Sequence, residues 1–151
     1  EVLNEYSNCI TIDPLWHTTN SGWTSSFPKF EDVNLLVNLA QHCSLVVNVG
    51  STMAHDFAIL NKPCLYLKYN HNINNKWNVN VVYDYQHFRT MQGLDAVGWL
   101  NSPNEIAKKI EMALKFPDQV GKDRKKWLEK IVLHPLEENS KKIAHVLLNP
   151  I

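Results

Sequence analysis

Residues 45–67, LVVNVGSTMAHDFAILNKPCLYL, decide the fold of this chain. Residues 45–49 are short, apolar and rich in valine, as a strand buried on both faces of a parallel sheet should be. Residues 64–67 have the same character and similar flanks. Between them residues 53–60 are long enough for one short helix. Asn61 can take the left-handed conformation that ends a helix, and Pro63 keeps the chain from continuing it. Strand, tight turn, helix and strand make a crossover unit, which gives two parallel strands with the helix on one sheet face.

The turn carries the functional hint. Gly50-Ser51-Thr52 falls at the carboxyl end of one strand and the amino end of the helix. Unpaired backbone N–H groups collect at such a point, and the helix dipole favours an anion. Gly50 would let a ligand approach the backbone, and Ser51 and Thr52 offer hydroxyl donors to phosphate oxygens. Asp56 lies one helical turn after Thr52 and faces the same side. Its carboxylate would repel phosphate but could accept hydrogen bonds from ribose hydroxyls. Ser and Thr also cap helices in proteins of every kind, so capping alone accounts for the residue types. Position is what favours a ligand, because open parallel sheets bind ligands beyond the carboxyl ends of their strands.

Composition bounds the rest. The 151 residues fit a single domain over 1–151, with 44% hydrophobic and 20% charged residues, an ordinary globular balance. Fifteen basic and fifteen acidic residues leave no net charge, so no concentrated positive surface points to a nucleic-acid partner. The basic cluster at residues 122–130 contains Asp123 and Glu129 and reads as the solvated face of a helix. Cys9, Cys43 and Cys64 form no close pairing motif. The apolar neighbours of Cys9 and Cys64 suggest reduced thiols in a cytoplasmic core. No apolar run approaches a membrane span and no secretory signal is present. The chain begins with Glu1, and it is read as a piece of something longer.

Outward from the central unit, residues 8–12 have the pattern of a strand that Asp13-Pro14 ends, expected beside the other two. Residues 15–30 show no period and carry Trp16, His17, Trp23, Phe27 and Phe30, aromatics suited to packing or to stacking on a base or sugar. Glu31-Asp32 opens a helix that buries Val33, Leu36, Val37 and Ala40 by spacing, the acidic pair suiting its dipole. Residues 70–80, with His71, Lys76 and Trp77, read as a loop on the ligand side of the sheet. A short strand over 79–83, a site segment or short helix over 83–88, and a last strand over 96–100 follow. Ser102-Pro103-Asn104-Glu105 is a helix start in which Ser102 caps and Glu105 reaches back to its N–H. Further helices are expected over 120–131, burying Trp127, Leu128 and Ile131, and over 137–148, burying Ile143, Val146 and Leu147; His134-Pro135 separates them.

Several site types are excluded. Seven histidines occur without HExxH or zinc-finger spacing, so no metal site is assigned. The nucleophile elbow, the Walker loop and the GxGxxG loop are all missing.

The ordered features resemble a family. The stretch DVNLLVNLAQHCSLVVNVGSTMAHDFAILNKPCLYL, residues 32–67, resembles the carboxyl-terminal, donor-binding lobe of GT-B glycosyltransferases of the bacterial surface-polysaccharide type. The likeness extends over most of residues 9–148 and rests on Gly50-Ser51-Thr52, Asp56, Asn61-Lys62-Pro63, the segment 83–88 and the helix from Ser102. It implies a Rossmann-like α/β lobe, a parallel sheet with helices on both faces and a helical tail. It implies a glycosyltransferase that takes a nucleotide sugar as substrate, without cofactor or metal, for polysaccharide or glycoconjugate synthesis. Gly50, Ser51 and Thr52 would hold the diphosphate and Asp56 the ribose. Tyr85 and His87 are further candidates for sugar or phosphate contact, and His87 is the candidate for catalysis in this lobe. The acceptor would be a glycan or a lipid-linked glycan, which leaves room for peripheral membrane association. The amino-terminal lobe and its general base are missing, so the isolated chain is expected to be inactive. A nucleotide-sugar 2-epimerase, a polyol-phosphate transferase and a non-catalytic nucleotide-binding or interaction domain remain as alternatives.

Overall fold

The structure is a computed structural model that describes residues 5–17, 25–70, 78–132 and 135–149. The expectations placed on Trp23, His71, Lys76, Trp77 and His134 lie outside the described residues. The chain divides into two units, Glu1–His42 and Cys43–Ile151.

In the first unit β1 (Trp16–His17) pairs antiparallel with β2 (Phe27–Pro28), and α1 runs over Phe30–His42. The expected strand at residues 8–12 does not form: these residues join no ladder, and Ile10 is 87% exposed. Cys9 is exposed with them, not a core thiol. An alternating pattern makes a strand only where a neighbour supplies hydrogen bonds, and the pattern does not name that neighbour. The expected buried face of α1 also fails in part. Ala40 is buried, whereas Val33, Leu36 and Val37 are exposed. Asp32 turns inward instead, accepting the Leu15 N–H at 2.9 Å and the Trp16 indole N–H at 3.1 Å. Those two donors compensate a carboxylate that would otherwise be costly to bury.

The second unit holds the parallel sheet. β3 (Val46–Asn48), β4 (Cys64–Leu67) and β5 (Gly98–Leu100) lie in that order, all parallel. α2 (Met53–Ile59) joins β3 to β4, and α3 (Asn80–Tyr83) with α4 (Gln86–Arg89) lies between β4 and β5. Thus the weak strand pattern over 79–83 is a short helix. α5 (Ile106–Lys115), α6 (Arg124–Ile131) and α7 (Asn139–Leu148) follow.

Burial explains the strand patterns. β4 is central, so Cys64, Leu65 and Tyr66 are all buried although they alternate between faces. On one face Leu65 and Leu100 pack with Ala113 of α5. On the other, Cys64 and Tyr66 pack with Ala54 of α2, Phe88 of α4 and Trp127 of α6. β3 is less covered than its valines suggest, with Val47 38% exposed, because among the described residues only β4 flanks it.

The helix ends follow local chemistry. Asn61 has φ +57°, and behind it the Asn61 N–H reaches the Ala58 carbonyl at 3.0 Å and the Lys62 N–H the Phe57 carbonyl at 2.8 Å. This paired closure terminates α2 as expected and orients Pro63 into β4. At Ser102 the loop-back exists but is displaced by one residue. Glu105 Oε2 accepts the Asn101 N–H at 3.2 Å and the Asn101 amide at 3.4 Å, and Ser102 makes no side-chain cap bond. Pro103 to Glu105 form a 3-10 turn first, which shifts the reach of Glu105.

Two helical expectations are corrected. α6 buries Trp127 and Leu128, but Ile131 is exposed and Arg124 is buried in its place. In α7, Ile143, Val146, Leu147 and Leu148 are all exposed, so its apolar side has no cover among the described residues. No helix is long and apolar enough to cross a membrane among the described residues.

Candidate functional site

The Gly50-Ser51-Thr52 turn lies where the sequence places it, between the end of β3 and the start of α2. Its polar groups are largely tied to one another. Asn48 Oδ1 accepts the Ser51 N–H at 3.1 Å, and Ser51 Oγ accepts the Met53 N–H at 3.2 Å. The Ser51 carbonyl accepts the Tyr66 hydroxyl at 2.7 Å. Ser51 therefore caps α2 from one residue further back than the usual position, and Thr52 makes no cap bond. A hydroxyl that accepts one hydrogen bond still has its own proton to donate. Ser51 keeps that donor, and Thr52 is exposed.

Gly50 has φ +54°, a conformation that favours glycine. The space a side chain would need there is filled by Val82: a Cβ on Gly50 would lie 2.2 Å from Val82 Cγ1 and 3.3 Å from Phe88 Cε2. The close approach to this backbone is made by α3, from within the chain. Tyr83 joins it, donating its hydroxyl to the Leu67 carbonyl. Burial and the neighbouring Cys64 thiol push the Tyr83 phenol up.

Beneath the turn sits an aromatic cluster centred on Tyr66, which is fully buried. Tyr83 stacks on it at 5.5 Å, while Phe88 and Trp99 meet it edge-on, each at 5.9 Å. Such pairings stabilise beyond the area they bury. Burial raises the Tyr66 phenol and the Cys64 thiol well above their ordinary ranges, so Tyr66 serves as a neutral donor and Cys64 as an inert core side chain.

The remaining sequence candidates lie around this frame. Asp56 is exposed on α2, and partial burial raises its carboxyl. Tyr85 and His87 are exposed, their rings 6.2 Å apart, and His87 packs on Phe88 at 4.1 Å. His87 also influences His55 of α2 through its charge. α3 and α4 thus come against the turn through Val82 and Phe88. Among the described residues no three His, Cys, Asp or Glu side chains gather as a metal site.

His55 was missed as a special residue. It is buried with neither ring nitrogen hydrogen-bonded, its ring 4.2 Å from that of Trp127 on α6. Its single-letter neighbours give no sign of this, because α6 arrives from far along the chain. Burial, and then the charge of His87, lower its pKa from the ordinary 6.5. The neutral form is the folded one. Its contribution is therefore complete above the unfolded pKa near 6.5 and is lost as pH falls below that value toward the folded pKa. His55→Phe should fold, and its denaturation midpoint should fall less than the parent's between pH 7 and pH 5. Equal pH slopes in urea titrations would refute this assignment.

Known proteins offer no assignment: no family model, no curated protein and no solved structure matches the chain.

Proposed function

We propose that the chain is the donor-binding lobe of a GT-B-type glycosyltransferase that holds a nucleotide sugar at the carboxyl rim of its parallel sheet. The observation that carries the reading is the parallel β3–turn–α2–β4 unit, with Gly50-Ser51-Thr52 at the carboxyl end of β3 and Asp56 one turn along α2. Ligands of open α/β sheets bind at that end. The Ser51 and Thr52 hydroxyls are the donors for the diphosphate, and Gly50 shapes the turn beneath them. Stabilising charge on the departing nucleoside diphosphate is electrostatic catalysis, and no step is assigned to a metal. Asp56 orients the ribose, and His87 stands on the adjoining α4. The acceptor is a glycan or lipid-linked glycan, and the reaction is placed in the cytoplasm, with the second lobe supplying the general base.

Calorimetric titration with nucleoside diphosphates, with and without a chelator, tests this reading. Ser51→Ala with Thr52→Ala should remove two charge-assisted hydrogen bonds, each worth ~1.5–3 kcal/mol before water compensates. Asp56→Asn should weaken a nucleoside diphosphate more than inorganic pyrophosphate. Simple capping predicts only the loss of ~0.5–2 kcal/mol of stability from Ser51 and no ligand-specific effect. A folded double variant that binds as the parent does would remove the assignment, and binding abolished by chelator would restore a metal to the site.

A further inference from the structure

The second unit carries two depressions that share one ridge. The first, of about 450 Å³, lies between α3–α4 and β5, and the second, also about 450 Å³, lies between β5 and α5. Lys68 and Trp99 line both. The two residues form a unit: the Lys68 ammonium sits 4.8 Å from the centre of the Trp99 ring. Tyr83 holds Trp99 from behind, its ring perpendicular at 4.9 Å. Trp99 remains partly exposed at the edge of the sheet. Each depression is within the usual range for small-molecule sites, roughly 300–1,000 Å³.

The linings mix aromatic rings with unused amides. Tyr83 and Phe88 wall the first, beside the carboxamides of Asn80 and Gln92. Gln119 lies in the second. None of these three carboxamides is engaged in a hydrogen bond among the described residues. A carboxamide offers a donor and an acceptor together, which matches the paired hydroxyls of a sugar ring. The C–H face of a pyranose packs on an aromatic ring while its rim of hydroxyls meets such amides. Charge is balanced along the floor, with Lys68 and Lys109 against Asp84 and Asp95, so an anionic ligand gains nothing net.

We propose that the two depressions flanking the Lys68–Trp99 pair form one groove that binds a neutral oligosaccharide of two or more pyranose units. An extended peptide is disfavoured at the outer edge of β5, because that strand is only three residues long. Little ladder is left for a second strand. The groove is independent of nucleotide binding at the Gly50 turn. In the proposed enzyme it would retain the growing glycan beside the donor site.

The purified chain is applied to an array of neutral, acidic and amino-sugar oligosaccharides, and hits are titrated by tryptophan fluorescence. Neutral hits should tighten at least tenfold from one to three units. Trp99→Ala should weaken the trisaccharide at least tenfold and Trp99→Phe less. Asn80→Ala and Gln119→Ala, both at exposed positions, should each weaken it three- to tenfold even if Trp99→Ala fails to fold. No glycan bound, only acidic glycans bound, affinity independent of length, or capture of an alternating Thr/Val heptapeptide in preference to glycans would each overturn the proposal. Glycan binding without nucleoside diphosphate binding would support the groove and reject the donor-lobe reading, and the reverse result would do the opposite.

Discussion

Arg124→Leu should destabilise the second unit by ~3–5 kcal/mol, since each buried acceptor it leaves without a donor costs ~1–3 kcal/mol. The guanidinium is 6% exposed, and its two terminal nitrogens make six hydrogen-bonding contacts. One terminal nitrogen reaches the carbonyls of Pro117 at 3.2 Å, Val120 at 2.8 Å and Gly121 at 3.2 Å. The other reaches the Asn61 carbonyl at 3.1 Å, its amide oxygen at 3.0 Å and the Asp118 carboxylate at 3.1 Å. Arg124 therefore ties the turn that ends α2 to the turn that precedes α6. Its geometry needs a planar fork, so Arg124→Lys should recover only part of the loss. The ion pair itself matters little, since Asp118 is 82% exposed. Asp118→Asn should cost less than ~1 kcal/mol, as surface pairs do. Denaturant titrations of the three variants read the ordering directly. A cost for Arg124→Leu as small as that of Asp118→Asn would mean that water replaces the guanidinium at these carbonyls.

Arg124 also marks where sequence reading stops. Its cluster of neighbouring lysines describes a solvated helix face, and nothing local says that residues 61 and 117–121 converge on one member of it. By contrast, the end of α2 was legible because the whole device lies within six residues, with Asn61 the one non-glycine residue at positive φ among those described. β4 was legible for a different reason. A strand covered on both faces must be apolar at every position, so its composition alone reports its place. Patterns that need a partner fared worse. Residues 9–12 alternate without joining a ladder, and α7 is amphipathic with its apolar side exposed. Periodicity gives the face that can be buried and not what covers it. At the candidate site, the order strand, turn, helix and the position of Asp56 were readable, whereas the closing of α3 onto Gly50 was not. That contact joins residues 32 positions apart, and Val82 lies in a segment whose pattern suggested a strand.

Gly50→Ala should cost ~2–5 kcal/mol, made of two separable parts. Any L-residue at φ +54° bears a backbone penalty of ~1–2 kcal/mol. The new methyl must also displace Val82 Cγ1, 2.2 Å from where it would sit, and overpacking of that kind costs ~1–3 kcal/mol. Val82→Ala removes the obstructing methyls. The double variant should therefore recover the overpacking part and retain the backbone part, with a coupling of ~1–3 kcal/mol between the two sites. A glycine kept for ligand approach behaves differently. Alanine would then be tolerated to within the backbone penalty, Val82→Ala would show no coupling, and nucleoside diphosphate affinity would fall in the folded protein. Double-mutant denaturation curves, read beside the nucleotide titration of each folded variant, distinguish the two roles of Gly50. Coupling with unchanged affinity would place Gly50 in the framework and leave the Ser51 and Thr52 hydroxyls to carry phosphate recognition. Lost affinity without coupling would mean that α3 stands away from the turn when the ligand is bound, exposing the Gly50 backbone to phosphate.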